Sequence, residues 1–224
     1  MEIETLSVTN SIAEYLRGKI IVGELQGGLR LNENQLAPKL GISRPPMREA
    51  FRILEHEHVI VSIPRKGVYI KEISINDCQE VYQMREMLEC YAVDLLKSKN
   101  ILSLQEVSSA LTSASGLLIP PDDNQDQRLK YLKTFADFHI KMVEAPGNNR
   151  LDYFYKSIQS TLYRYQFMYL SLPGAGPHSL EEHHHILNLI TAGAYDEAKK
   201  NLKAHIDRMF ELLVGKMKED NIKD

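Results

Sequence analysis

The sequence predicts a mainly α chain in two parts. The first is an N-terminal unit of three helices closed by a two-stranded hairpin; the second is a C-terminal, all-α antiparallel bundle of six or seven helices. Three observations predict it. Val59-Ile60-Val61-Ser62-Ile63 and Val68-Tyr69-Ile70 are short β-prone runs, and no such run follows them. Apolar residues elsewhere recur at three- and four-residue spacing. Breaks rich in Pro and Gly cut the remainder into helix-length pieces.

Length and composition bound the possibilities. The 224 residues suffice for two domains, and 43% apolar with 25% charged is ordinary for a globular protein. Net charge is −3, so bulk charge points to no anionic partner. The stretch from Arg44 to Lys71 differs, with six Lys or Arg against three Glu; affinity follows the field at the contact face rather than the whole-chain sum. Cys78 and Cys90 stand twelve apart in one predicted helix, too far for a bridge between them, which predicts a reduced, cytoplasmic protein. No apolar run approaches the roughly 20 residues that cross a bilayer, and Met1-Glu2-Ile3-Glu4 is no signal peptide.

In chain order, Ile12 to Val22 reads as a helix with Ile12, Leu16 and Ile20 inward. Asn32 to Leu40 is a second, short helix. Pro38 inside it removes a backbone hydrogen bond and costs roughly 3 kcal/mol in a regular helix, so a kink or early end is expected. Gly41 suits the turn, and Ser43 is a good N-cap for a third helix whose prolines, Pro45 and Pro46, fall in the tolerant first turn. Met47, Ala50, Phe51 and Leu54 make its apolar face, while Arg44, Arg48 and Arg52 step along another. That layout is a recognition helix entering the DNA major groove, where a guanidinium fork binds guanine or phosphate. Pro64-Arg65-Lys66-Gly67 joins the two β runs into a wing with two cations at its tip, and Gly67 allows close backbone approach. The unit is thus a winged helix-turn-helix spanning residues 1–72.

The second domain spans residues 76–224. Ser74 caps a helix through Leu96 with Val81, Met84, Leu88, Tyr91 and Leu95 on one face. Ser103 and Glu106 form a capping box for a helix to about Leu118, and Pro120-Pro121-Asp122-Asp123 is a loop. Helices follow from Gln125 to Glu144, Leu151 to Leu170, Ser179 to Ala192 and Tyr195 to Lys218, with Pro173 to Pro177 as the most flexible break. His139, His183 and His205 lie on three of them among apolar neighbours. Three imidazoles converging inside a bundle make an open-sided site for zinc or nickel, whereas any one alone is an ordinary core histidine.

The stretch from Ile12 to Ile70, above all Leu31-Asn32-Glu33, Leu36-Ala37, Leu40-Gly41-Ile42-Ser43-Arg44 and Met47-Arg48-Glu49-Ala50, resembles the DNA-binding domain of GntR-family transcription regulators. Residues 76–210 resemble the FadR C-terminal (FCD) domain of one branch, through Met84-Arg85-Glu86-Met87-Leu88-Glu89, Phe138-His139, Glu182-His183, Ala198 and His205-Ile206. The resemblance implies a homodimeric repressor or activator on a palindromic operator of double-stranded DNA, and no enzyme. It places the family's DNA-contacting arginines on Arg44 and Arg48, a third contact on Asn34, where the family often has arginine, and the wing glycine on Gly67. Together with Ser43, Arg52, Arg65 and Lys66 these are the candidate contacts.

The resemblance further implies a divalent metal on His139, His183 and His205, holding a small carboxylate effector. The family's fourth ligand, an aspartate one turn before the first histidine, is Phe135 here, and Asp137 points to the other side. Either the carboxylate is missing, or water or effector takes its place, or no metal binds. Arg85 is the first candidate to clamp an acid; Arg164 and Tyr165 follow. Two other readings stand beside this one: a DNA-binding protein whose bundle only dimerises, and a metal-dependent hydrolase. Against the hydrolase, no His-Glu-x-x-His motif occurs.

Overall fold

The computed structural model describes residues 2–117 and 124–222, with side chains from residue 8 onward. The expected end of one helix at Leu118 and the loop at Pro120–Asp123 lie outside the described residues. These residues divide into two compact units, one drawn from Met1–Ile73 and Gln159–Arg164, the other from Ser74–Ile158 and Tyr165–Asp224.

In the first unit, α1 (Glu2–Ile21), α2 (Glu33–Lys39) and α3 (Arg44–His56) enclose an apolar core of Leu16, Ile20, Met47, Leu54, Val59 and Ile70. Gly41 closes α2 at φ 67°, and Ile42 N–H returns to the Ala37 carbonyl. Glycine takes that left-handed conformation without strain. Pro38 is accommodated inside the seven-residue α2, which runs on through Lys39 without the early end expected there. Ser43 occupies the N-cap of α3 in extended backbone, but its side chain makes no capping bond; Pro45 and Pro46 in the first turn remove N–H groups a cap would satisfy. The wing is a three-stranded sheet, ordered β1 (Arg30–Leu31), β3 (Gly67–Ile70), β2 (Ile60–Ile63), all antiparallel. A two-residue strand carries no periodicity, which is why sequence reading expected two strands.

In the second unit, α4 (Ile75–Ser98), α5 (Gln105–Ser115), α6 (Gln125–Glu144), α7 (Asn149–Leu170), α8 (Ala175–Thr191) and α9 (Tyr195–Glu219) form the bundle. The side chain of Ser74 caps α4 by accepting from Asp77 N–H. The capping box expected at Ser103 is not formed: Leu104 is the N-cap of α5 and is buried, so an apolar anchor sets that helix start instead. The Pro173–Pro177 break is shorter than expected, because α8 already begins at Ala175 behind Gly174 at φ 74°.

The buried face of α4 is Cys78, Tyr82, Arg85, Leu88, Glu89, Val93 and Leu96, while Met84 and Tyr91 are 37% and 50% exposed. The helix is therefore rotated from the face its apolar residues suggested, and it turns an arginine and a glutamate inward.

Candidate functional site

The exposed face of the first unit is built by α2 and α3. Arg44, Arg48 and Arg52 are all exposed along α3. Each is held by a polar partner. Arg44 Nη1 donates to Asn34 Oδ1 at 3.1 Å. Arg48 donates to both oxygens of Glu33, from Nε at 3.1 Å and Nη2 at 2.8 Å, and Arg52 Nη1 donates to Glu49 at 2.7 Å. Arg48 thereby holds the Glu33 carboxyl below the usual carboxylate range. Asn32 caps α2 through Asn34 N–H, which fixes Asn34 and Glu33 at the front of that helix. Sequence reading missed Glu33, whose partner lies fifteen residues ahead.

At the wing tip, Arg65 adopts φ 64° and stands exposed beside Lys66. Gly67 has φ 117°, and a Cβ there would lie 2.9 Å from Arg30 Nε. The close approach expected at this glycine thus comes first from Arg30, a third basic residue at the wing that periodicity could not reveal. Exposed Ser43 completes the set at the N-terminus of α3.

The second site lies in the bundle. His139 from α6, His183 from α8 and His205 from α9 are each at most 3% exposed, and one ring nitrogen from each lies within 4.8 Å of the other two. Nε2 of His183 and Nε2 of His205 are 3.2 Å apart. Two carboxylates hold the outer nitrogens: Glu89 Oε2 faces His139 Nδ1 at 2.8 Å, and Glu182 Oε2 faces His205 Nδ1 at 2.6 Å. Ionised carboxylates accept, so both Nδ1 atoms carry the proton and both Nε2 atoms present lone pairs to the centre.

His139 gives its lone pair to Arg85 Nη2 at 2.8 Å. His183 is then the donor toward His205, which leaves its Nδ1 buried without a partner. The ring of Phe138 stacks on His183 at 4.3 Å.

Each carboxylate is matched by an arginine. Arg85 Nε donates to Glu89 Oε1 at 2.8 Å, and Tyr155 donates to the same oxygen. Arg208 grips Glu182 through Nε at 2.9 Å and Nη2. Burial alone would push Glu89 upward; Arg85 and then His139 overcome it and hold the carboxyl well below its ordinary value. Glu182, opposed by burial in the same way but bonded to His205 and Arg208, falls to about 2. Burial lowers all three histidines, His205 to about 4, so the imidazoles are neutral at pH 7.

Beside the histidines lies a cavity of ≈ 20 Å³, lined by Phe135, His139, Gln166, Tyr169, Ser179 and His183 among others. That is room for about one water molecule. Gln166 Oε1, in its wall, is buried without a partner.

Of the three candidate acid clamps, the structure brings only Arg85 to this centre. Arg164 is buried and donates to the Lys71 carbonyl at 2.8 Å, and Tyr165 donates to Asp77 at 2.6 Å. The reason is helical phase: Gln166, Tyr169 and Leu170, at i, i+3 and i+4, are the residues α7 turns to the cavity. Glu89, Glu182 and Arg208 were not found from sequence, although Glu89 stands one turn after Arg85. His184 and His185 are exposed.

Residues 8–70 match the family described as bacterial regulatory proteins, gntR family, and residues 80–208 match the FCD domain. An uncharacterized HTH-type transcriptional regulator of Bacillus subtilis (strain 168), YdhC, is 26% identical over 212 residues, covering 91% of this chain and 90% of its own. The Nta operon transcriptional regulator of Aminobacter aminovorans is 28% identical over 187 residues, covering 84% and 85%. A crystal structure of a GntR protein from Rhodococcus sp. RHA1 superposes with TM-score 0.72 at 24% identity, over 93% of this chain and 98% of that one. This last likeness is one of fold.

Proposed function

We propose a function from one premise: the chain belongs to the gntR family of bacterial regulatory proteins, with an FCD domain following its DNA-binding domain in sequence. From that premise we propose a homodimeric regulator on a palindromic operator, released or tightened by a small carboxylate held at the histidine centre. Its family makes it a DNA-binding transcription regulator and not an enzyme. No described helix is long and apolar enough to cross a membrane.

For the DNA contacts we read Arg44, Arg48 and Arg52 with Ser43 and Asn34 as facing the major groove, and Arg65, Lys66 and Gly67 as the wing contact. Two copies reading two half-sites account for a palindrome. Exposed Met84, Met87 and Tyr91 on α4 support a second copy as the cover for that face.

The observation that carries the effector reading is the convergence of His139, His183 and His205 within 4.8 Å inside the bundle. Their donor set fits a borderline divalent cation such as zinc or nickel: neutral imidazoles, two of them oriented by carboxylates on the far nitrogen. The unpartnered His183 Nδ1 marks a centre whose polar atoms are not all satisfied from within the chain. When bound, the metal supplies open positions for a carboxylate. Arg85 supplies a guanidinium for the same anion, and Gln166 and Ser179 supply polar groups in the wall. An acid larger than its own headgroup enters a 20 Å³ cavity only as the wall moves, which is how binding reaches the rest of the bundle.

That small volume also favours a second reading, a bundle that only dimerises. A thermal-shift screen of carboxylic acids, with and without added zinc, separates the two. The effector reading expects a raised midpoint with at least one acid and altered operator affinity in its presence. A screen with no shift leaves the bundle as a scaffold.

A further inference from the structure

Charge matching around the three histidines carries a step beyond metal-assisted acid binding. We propose that this centre takes a divalent cation and a carboxylate anion only as a pair, each binding weakly alone, and prefers a dianion to a monoanion. The proposal rests on the reading of His139, His183 and His205 as metal ligands.

The charges that touch the histidines already cancel. Glu89 is paired with Arg85 and Glu182 with Arg208. The cavity lining holds no acidic residue among the described residues; at Phe135, one turn before His139, the wall is an aromatic ring 6.4 Å from the His183 ring. Histidines that offer lone pairs are neutral, so a bare divalent ion would bring two uncompensated positive charges beside a cavity with room for only about one water molecule. Buried charge without a counter-charge is strongly disfavoured. A dicarboxylate cancels both charges, and a monocarboxylate cancels one.

Arg85 gives a second, independent reason. Its Nη2 donates to the Nε2 lone pair of His139 at 2.8 Å, the electron pair a metal would use. A metal on His139 would leave that N–H buried and unpaired while Nε stays on Glu89. A carboxylate beside the metal gives it a new acceptor. The acid, entering alone, would meet a guanidinium already committed to Glu89 and His139. Each partner therefore removes an obstacle to the other, and linkage makes the effect reciprocal. The protein would respond to metal and acid together, and to neither by itself.

The test uses full-length protein stripped of metal, at free Zn²⁺ fixed by a metal buffer, in the presence of no acid, acetate or malonate. Retained zinc and thermal midpoint are both read. Malonate is expected to tighten zinc at least tenfold, acetate less, and malonate is expected to raise the midpoint only when zinc is present. Phe135→Asp should retain zinc without acid and lose most of the malonate effect, whereas His183→Ala should retain none. Zinc held tightly in acid-free buffer, with malonate changing its affinity less than twofold, overturns the pairing and leaves the metal reading intact. Zinc absent under every condition overturns both.

Discussion

Nη2 of Arg85 lies 2.8 Å from Nε2 of His139, and both side chains are buried in the bundle. The same arginine reaches Glu89 one turn along α4, and Glu89 reaches back to the other nitrogen of His139. Arginine, carboxylate and imidazole thus close a ring in which every bond is directed. Tyr155 adds a donor to the carboxylate and Met209 Sδ a soft contact to the guanidinium at 3.4 Å.

Removing the carboxylate charge should therefore be severe. Glu89→Gln leaves Arg85 buried without its counter-charge and is expected to destabilise the protein by roughly 3–5 kcal/mol. Urea denaturation followed by circular dichroism checks this. The double change Arg85→Met with Glu89→Met should recover much of the loss, since a buried pair replaced as a whole is close to neutral. A double variant as unstable as Glu89→Gln would contradict this account of the pair.

Acid should destabilise the metal-free protein over a defined interval. Burial is the largest cause and, with the smaller repulsion from His139 and Arg85, outweighs the hydrogen bond to Glu182 and lowers His205 from 6.5 to about 4. The unfolded chain takes up that proton below pH 6.5 and the folded chain does not, so stability is complete above 6.5 and lost as pH falls toward 4. Each proton so withheld is worth about 1.4 kcal/mol per pH unit. Denaturation midpoints at pH 7, 6, 5 and 4 should fall steadily. His205→Asn, which keeps a donor for Glu182, should flatten the slope.

The Arg48–Glu33 ion pair is expected to set a balance between affinity and reading of DNA. Arg48→Ala is expected to weaken binding to a selected operator roughly ten- to hundredfold, the range for one lost bidentate base contact. Glu33→Ala should act otherwise: freed of the carboxylate, the face grips random duplex more tightly while discrimination falls. Fluorescence anisotropy at several salt concentrations, on operator and on random DNA, distinguishes the two. Equal losses on both duplexes for Arg48→Ala would make it a phosphate contact.

Gly67→Ala combines strain at φ 117° with a Cβ placed 2.9 Å from Arg30 Nε. The Arg30 side chain can move, so the backbone term dominates and about 1 kcal/mol of stability is expected to be lost. DNA affinity should drop further than stability does, since the wing tip is what the change distorts. Thermal melts alongside the anisotropy titration measure both.

Much of this was legible in one dimension. The apolar spacing of Met47, Ala50, Phe51 and Leu54 with the arginine step at Arg44, Arg48 and Arg52 is a local pattern, and α3 has both faces where that pattern puts them. The starts of α4, α6 and α9 followed from caps and breaks in the same way, while α5 and α8 begin elsewhere than the local signals put them.

The sequence by itself determined the order of helices, the hairpin, the basic face and the identity of three histidines free to meet. Tertiary structure alone decided that α4 turns Arg85 and Glu89 inward, that Glu182 and Arg208 orient His205, and that Arg164 and Tyr165 face away from the cavity while Gln166 and Tyr169 line it. Apolar periodicity reports which side chains avoid water, and it is silent on a charged one that is buried with its counter-charge, as Arg85 is with Glu89 one turn along α4. His139 lies 50 residues from Glu89 and His205 lies 23 from Glu182. Such pairs exist only once packing has brought the helices together, and it is their mutual neutralisation in a buried interior that lets the centre form.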